Sequence, residues 1–556
     1  MNELEKSRII SNQQIILGLV SIVIAGLVIR FFYFPSETPI VIDSYISFVY
    51  AIKTVFDGSL PVGYSTTNSG WSYLLSSIFI FLEKTDPLQL MDIQRSISIG
   101  LASITAVPLF FILRRFTSDR WALFGSFLVV IEPRLILISI EGINYSLFFF
   151  LFTLSIALFL KKTNLSLVIS FGCIAVLALV RYEGILLLIP FCIMYFVRFR
   201  DKRSIYRFLA IILVMSIVLV PIGILRMEAT QGSCKEYIFG TVCGQDGITN
   251  NLLTGPRSFY QYILLNEKVT DSTSETEHHS LHTIPNEFEM REYGTNEINL
   301  INAIEQSFSR LGKFIALSLI PIFGLFILFN TITRIRNKIK LGFDSKFILL
   351  CSIIMLFPAL YAYARGIDEI RYVLFLIPLF CIMSTSWNKS ISKRISKNHI
   401  MILLVISIIV ISILFIEMNK RDSIHDRESF LVSKKVVELT DVINRFHQDG
   451  YIKTAVLIHD WPVLPEVNRD GKVIHRFQKI SLGNFEDMQE LITNARDKGL
   501  EYVVMDKNNI SFENIDNYST TYRYLDKVFD SKKLGFKNEF SIYKINYKLF
   551  DKKLEG

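Results

Sequence analysis

Asp43 stands where a charge is costly. It lies in VIDSYISFVYA, among aliphatic and aromatic residues directly after the first long apolar run. Partial burial there raises a carboxyl pKa toward the range useful for a general base. The other informative charges also sit at the ends of apolar runs. Glu132, Arg134 and Glu141 occupy EPRLILISIEGIN, Arg181 and Glu183 occupy RYEG, and Arg365, Asp368, Glu369, Arg371 and Tyr372 occupy ARGIDEIRY. Acids suit proton transfer and arginines suit phosphate. Arg371 is the preferred phosphate ligand; Lys53, ten residues after Asp43, is a second cation within reach of one. Each has a plainer reading beside the chemical one. Asp43 could cap a helix, as could Ser44. Glu141 could pair with Arg134, the arginine–glutamate pairs could be snorkelling span ends, and Lys53 could sit on a solvated face.

Composition says what holds these residues. Hydrophobic residues are 51% of 556, mean hydropathy is +0.40, and there are 45 Phe. With the apolar residues in long blocks, this is a polytopic α-helical membrane protein rather than a soluble enzyme. The net charge of +8 comes from short basic clusters between apolar blocks, which is the positive-inside pattern and not a nucleic-acid surface. Gln14 to Tyr33 reads as an uncleaved signal anchor with the N-terminus inside. Further spans are expected near Ile93–Leu113, Trp121–Ser139, Ile143–Leu160, Leu165–Val180, Gly184–Val197, Phe208–Leu225, Phe314–Phe329, Phe347–Ala364, Tyr372–Trp387 and Ile400–Ile416. That is about eleven crossings of a ~30 Å hydrocarbon layer.

Basic clusters at Arg114/Arg115/Arg120, Lys161/Lys162, Arg198–Arg203, Arg334–Lys340 and Lys389–Lys397 fall in alternate connections. The alternation holds only if Trp71–Leu82 does not cross, so Val41–Phe56 and Trp71–Leu82 are expected as interfacial helices of an external loop, 35–82. A cell-membrane protein follows, with residues 1–418 spanning the bilayer and two external polar regions, 227–310 and 419–556. The first holds Cys234 and Cys243, which pair if the exterior is oxidising and otherwise stay free thiols. The second is expected to be an extracytoplasmic α/β domain. Its strands are TAVLIHD, KVIHRF, EYVVMD and EFSIYKIN, and its helices Ser433–Phe446 and Asn484–Asp497. His459, Asp460 and Trp461 read as a strand-end turn before they read as ligand contacts. No cofactor is required, and Ser44 following Asp43 gives no support to a divalent metal.

The order of these segments resembles the GT-C glycosyltransferases, which include protein O-mannosyltransferases and the aminoarabinose and galacturonic acid transferases. An acid follows the first span (VIDSYISFVYA) and an interfacial helix closes the loop (GWSYLLSSIFIFL). Then come RRF, EPRLILISIEGIN, VRYEGILLLIP and EIRYVLFLIPL. The resemblance covers about residues 10 to 390 and implies a polyprenyl-phosphate sugar donor used on the exterior face, with Asp43 at the catalytic centre. The acceptor would be a protein, lipid or glycan. Glu141 stands where the family often has Asp, and the external domain lacks the Trp-Trp-Asp of oligosaccharyltransferases, which ranks that branch below a single-sugar transferase. A lipid-linked sugar flippase is the alternative from another class. A polyprenyl phosphate leaves as a stabilised anion, so one base and a cationic cradle suffice where glycosidases need two carboxylates.

Overall fold

The computed structural model describes residues 11–40, 42–58, 70–82, 87–161, 163–201, 203–229, 300–319, 342–364, 369–385 and 398–420. Short pieces are described between 322 and 327 and between 424 and 435, and in the C-terminal part 452–456, 466–467, 473–474, 477–480, 488–496, 500–506 and 522–554.

Helix α1, Asn12–Phe32, begins at a capping box in which Ser11 and Gln14 exchange side-chain and backbone hydrogen bonds. It is apolar on every side, as a span must be, but only one stripe (Ile15, Leu19, Ile22, Gly26, Arg30) is buried by protein. Two short helices follow, α2 (Ile42–Asp57) and α3 (Gly70–Phe79), as expected for the first loop. At ~1.5 Å per residue, α3 is far too short to cross. They pack through Phe48, Ala51 and Ile52 against Trp71, Leu75 and Phe79, with Phe48 edge-on to Phe79 and Ser72 Oγ donating to the Ser47 carbonyl at 2.9 Å.

Helices α4 (Pro87–Ile104) and α5 (Ala106–Leu113) run on as one apolar stretch, Leu88–Leu113. The next expected span, Trp121–Ser139, is not one helix: α6 (Asp119–Val130) and α7 (Pro133–Ile140) are bent by 50°. Proline has no N–H and keeps the preceding residue out of the helical region. Glu132 is accordingly extended and caps the new helix, accepting from Leu135 N at 2.8 Å.

The hairpin α8 (Tyr145–Lys161) and α9 (Asn164–Val180) ends on Arg181, whose extended backbone opens a 3-10 turn, Tyr182–Leu187, before α10 (Leu188–Arg198). There follow α11 (Arg203–Ala229), α12 (Leu300–Leu319), α13 (Phe343–Ala364), a second 3-10 turn (Ile370–Leu376), α14 (Ile377–Thr385) and α15 (Asn398–Asn419). Among the described residues four helices are long and apolar enough to cross a membrane, or five counting the bent pair. The remaining expected spans emerge as shorter apolar helices, or, for Phe314–Phe329, lie partly outside the described residues.

The C-terminal part holds β1 (Ile452–Val456), β2 (Glu466–Val467), β3 (Val473–Ile474), β4 (Phe477–Ile480), β5 (Leu500–Asp506), β6 (Leu525–Asp530) and β7 (Phe540–Ile545); five of them form a sheet in the order β4-β1-β5-β7-β6, and β2 and β3 pair separately as an antiparallel ribbon. Strand β1 is parallel to β4 and β5; β7 is antiparallel to β5 and β6. Helices α16 (Met488–Arg496) and α17 (Tyr547–Leu554) bury Met488, Ile492 and Phe550 with Val503 and Tyr543, while Tyr502, Val504 and Ile542 face the other side with Val432. Strand residues occur in all four expected segments, although KVIHRF holds β3 and only the first residue of β4; β2 and β6 are additional, and α16 answers to Asn484–Asp497. Most of the expected helix Ser433–Phe446, and His459–Trp461, lie outside the described residues. Two contacts tie this part to its stem and to the first loop. The Glu428 carboxylate accepts from Lys537 N (2.7 Å) and Asn538 N (2.8 Å), and Arg427 pairs with Glu37.

Candidate active site

Asp43 is the second residue of α2, and Lys53 lies near that helix's C-terminal end; the side chains of both lie outside the described residues. The backbone around Asp43 is fixed. Ser44 Oγ donates to the Glu141 carbonyl at 2.8 Å, so the start of α2 and the turn after α7 meet. That turn is possible because Gly142 adopts φ +75°, a conformation that costs a residue with a Cβ. The Gly142 carbonyl accepts from Trp71 Nε1 (3.2 Å) and Gln94 Nε2 (2.9 Å). The structure therefore brings together the two acid-bearing segments, which are almost a hundred residues apart in sequence.

One helical turn beyond lies a partly open pocket whose space, open solvent included, is about 650 Å³. Arg181, Glu183, Arg371, Tyr372 and Tyr145 are its polar lining; Leu135, Ile138, Phe148, Phe149, Met355, Leu374 and Phe375 are apolar. Two similar segments build the cationic part. Each is an extended residue leading into a 3-10 turn, with an Arg-Tyr pair at the junction: Arg181 is the extended residue before Tyr182 in one, and Arg371-Tyr372 lie just inside the turn that follows Glu369 in the other. Arg181 forks onto Glu183 (Nη2 to Oε1 2.7 Å, Nε to Oε2 3.3 Å), and Arg371 pairs with Glu369. Both guanidiniums lie against the same two rings. Arg181 Cζ is 4.4 Å from the Tyr145 ring centre and 5.9 Å from that of Tyr372; Arg371 Cζ is 6.0 and 5.7 Å away. Burial pulls the Arg181 pKa down, but Glu183 and Tyr145 outweigh it and hold the guanidinium well above its ordinary value. It is a permanent cation. Glycine permits this packing: a Cβ on Gly184 would lie 2.9 Å from the Leu177 backbone, and one on Gly70 2.6 Å from that of Leu179.

The pocket wall and the acid turn are neighbours along the chain. Ser146, on its wall, accepts or donates a 2.8 Å hydrogen bond with Ser98, one turn along α4 from Gln94, and Tyr145 follows Gly142 by three residues.

Arg134 belongs elsewhere. Its ion-pair partner is Glu132 (3.2 Å), where the sequence suggested Glu141; it also donates to the Leu317 carbonyl (2.7 Å) and lies 4.8 Å from the Phe415 ring. With Arg30 it supports the break between α6 and α7. Arg30 is fully buried, donating to the Val130 carbonyl (2.8 Å) and to Ser139 Oγ (2.9 Å), one at each side of the break. The sequence reading passed over Arg30, Gln94, Arg95 and Tyr145. For Arg30 and Arg95 the signal was there, a charge inside an apolar span. Cys234 and Cys243 lie outside the described residues, as do Arg365 and Asp368. No group of three or more His, Cys, Asp or Glu that could hold a metal occurs among the described residues.

No family model matches the chain. No curated protein matches it either. Solved structures do. The apo oligosaccharyltransferase of Archaeoglobus fulgidus aligns with a TM-score of 0.51 at 12% identity, over 89% of this chain and 70% of that one. The same enzyme tethered to an acceptor peptide containing the NVT sequon aligns at 0.51 and 11%, over 88% and 69%. ArnT from Cupriavidus metallidurans, in the apo state, gives 0.47 and 11%, over 95% and 97%. The chain shares the fold of that archaeal oligosaccharyltransferase, the kind of fold that the resemblance read from the sequence implied.

Proposed function

We propose that the protein is a membrane glycosyltransferase that moves one sugar from a polyprenyl-phosphate donor to an acceptor hydroxyl on the outer face of the membrane. The observation that carries this is the pair Arg181 and Arg371, both against Tyr145 and Tyr372, at the polar lining of an apolar pocket next to the Asp43–Glu141 turn. An amphiphile with an anionic head and a branched hydrocarbon tail matches such a chamber. The fold shared with an oligosaccharyltransferase supports the reaction class. The absence of a Trp-Trp-Asp sequence supports single-sugar transfer.

In this reading Asp43 takes the proton from the acceptor hydroxyl, the oxygen attacks the anomeric carbon opposite the phosphate, and the configuration inverts. The bond to the phosphate oxygen breaks with its electron pair staying on phosphate, where the two guanidiniums stabilise the charge; no acid is needed on the leaving side. Glu141 flanks the base and orients the acceptor. Purified protein given a radiolabelled polyprenyl-phosphate sugar and a panel of acceptors is expected to release free polyprenyl phosphate. Arg371→Ala is expected to weaken donor use, and Arg371→Lys to keep part of it as a point charge. Intact donor across the whole panel, with label crossing to the opposite leaflet, would instead show a flippase.

A further inference from the structure

Two adjacent residues of α4 hold the backbone on both sides of both acids. Gln94 Nε2 donates to the Ser44 carbonyl (3.1 Å) and to the Gly142 carbonyl (2.9 Å), the residues that follow Asp43 and Glu141. Arg95 Nε donates to the carbonyl of Ile140 (3.1 Å), which precedes Glu141; its Nη1 and Nη2 donate to Thr38 (2.6 Å) and Pro39 (2.8 Å), on the approach to α2. Asp92, one turn earlier, pairs with Arg95 at 3.1 Å. Gln94 is 0% and Arg95 3% exposed. The amide can be oriented only one way, since both of its carbonyl partners need N–H. Its oxygen is left buried without a hydrogen-bond partner among the described residues. Leaving a buried acceptor unpaired is unfavourable. An apolar side chain would fill the same space but would leave the Ser44 and Gly142 carbonyls without this donor.

We propose that Gln94 and Arg95 are a positioning pair that fixes the separation of Asp43 and Glu141, and so sets the catalytic geometry without touching substrate. This rests on the reading of those two acids as the reacting groups. Reacting groups displaced by about 1 Å can lose a factor of about 100 in rate. The lipid donor's phosphate, held by Arg181 and Arg371, would be unaffected. The signature is therefore a fall in kcat at constant KM for donor. Lysine cannot replace Arg95, because one ammonium cannot reach carbonyls in the fork directions that a planar guanidinium serves.

Two measurements on the full chain separate this pairing from the functional reading. The first needs no activity. With Ser44→Cys and Glu141→Cys together, oxidation should form the disulfide rapidly, identified by mass spectrometry of the linked peptides, and adding Gln94→Leu should slow it at least tenfold. Gln94→Asn, which keeps an amide but is too short to reach both carbonyls, should do the same in a protein that still unfolds cooperatively, at a temperature lowered by the loss of one buried hydrogen bond. The second is turnover of a polyprenyl-phosphate sugar by Gln94→Asn and Arg95→Lys. kcat should fall about 100-fold, with KM for donor within twofold of wild type. Unchanged cross-linking, or a loss that appears in KM, would overturn the proposal. Slowed cross-linking in a protein whose wild type cleaves no donor would instead overturn the functional reading and leave the pair's effect on geometry established.

Discussion

Tyr145 is the residue on which the cationic site turns, since its ring is shared by Arg181 and Arg371. A buried guanidinium over an aromatic face gains on the order of 1–2 kcal/mol. Tyr145→Leu is therefore expected to raise KM for the lipid donor about tenfold, which corresponds to ~1.4 kcal/mol. Tyr145→Phe, with the ring kept, is expected to stay within about threefold of wild type. Donor titrations on the two purified variants check this, and equal effects would assign the role to the hydroxyl. At this scale the sequence was informative about charges and silent about what surrounds them. Arg181, Glu183 and Arg371 were found because a charge at the end of an apolar run is conspicuous. Tyr145 was not, being one aromatic residue in a chain with 23 Tyr and 45 Phe.

At the scale of elements, close backbone approach decides the geometry. Gly70 brings the first residue of α3 against the end of α9, just before Arg181, so a Cβ there would strike backbone that cannot yield as a side chain can. Gly70→Ala is expected to cost about 1–3 kcal/mol through overpacking. Gly100→Ala, at a position in α4 with nothing within 4 Å of the added carbon, should be neutral or gain up to ~1 kcal/mol from helix propensity. Thermal unfolding in detergent compares the two, and the same response from both would remove the close-approach argument. The helices themselves were legible from apolar runs, including α2 and α3, whose shortness is the ground for expecting that they do not cross. The break at Ile131–Glu132 was visible in Pro133 but was read as a span end, because hydropathy averages over a kink that polar partners such as Arg30 make tolerable. The 3-10 turns after Arg181 and Glu369 leave no periodicity signal of their own. Strand β6, LDKVFD, alternates too weakly to stand out, and pairing with β7 rather than local pattern makes it a strand.

For the whole molecule, a single apolar core joins α1 through α15, and the stem of the C-terminal part meets the first loop through Arg427 and Glu37. Both arrangements agree with the acid loop and the C-terminal domain lying on one side of the membrane. Cysteines placed in 65–70, 272–282 and 507–518 are accordingly expected to react with an impermeant reagent from outside intact cells, and cysteines replacing Lys338 or Lys393 to be protected. Reversed accessibility would require a different span count.

The central claim is that Asp43 is the base of a sugar transfer. The direct measurement is turnover of a polyprenyl-phosphate sugar by Asp43→Asn in reconstituted membranes, alongside donor binding and thermal unfolding of the same preparation. Asparagine is nearly isosteric and cannot accept the proton, so binding and stability are expected to stay near wild type while turnover falls by at least about 100-fold, the lower end of what a positioned general base contributes. Wild-type turnover in that variant would contradict the assignment.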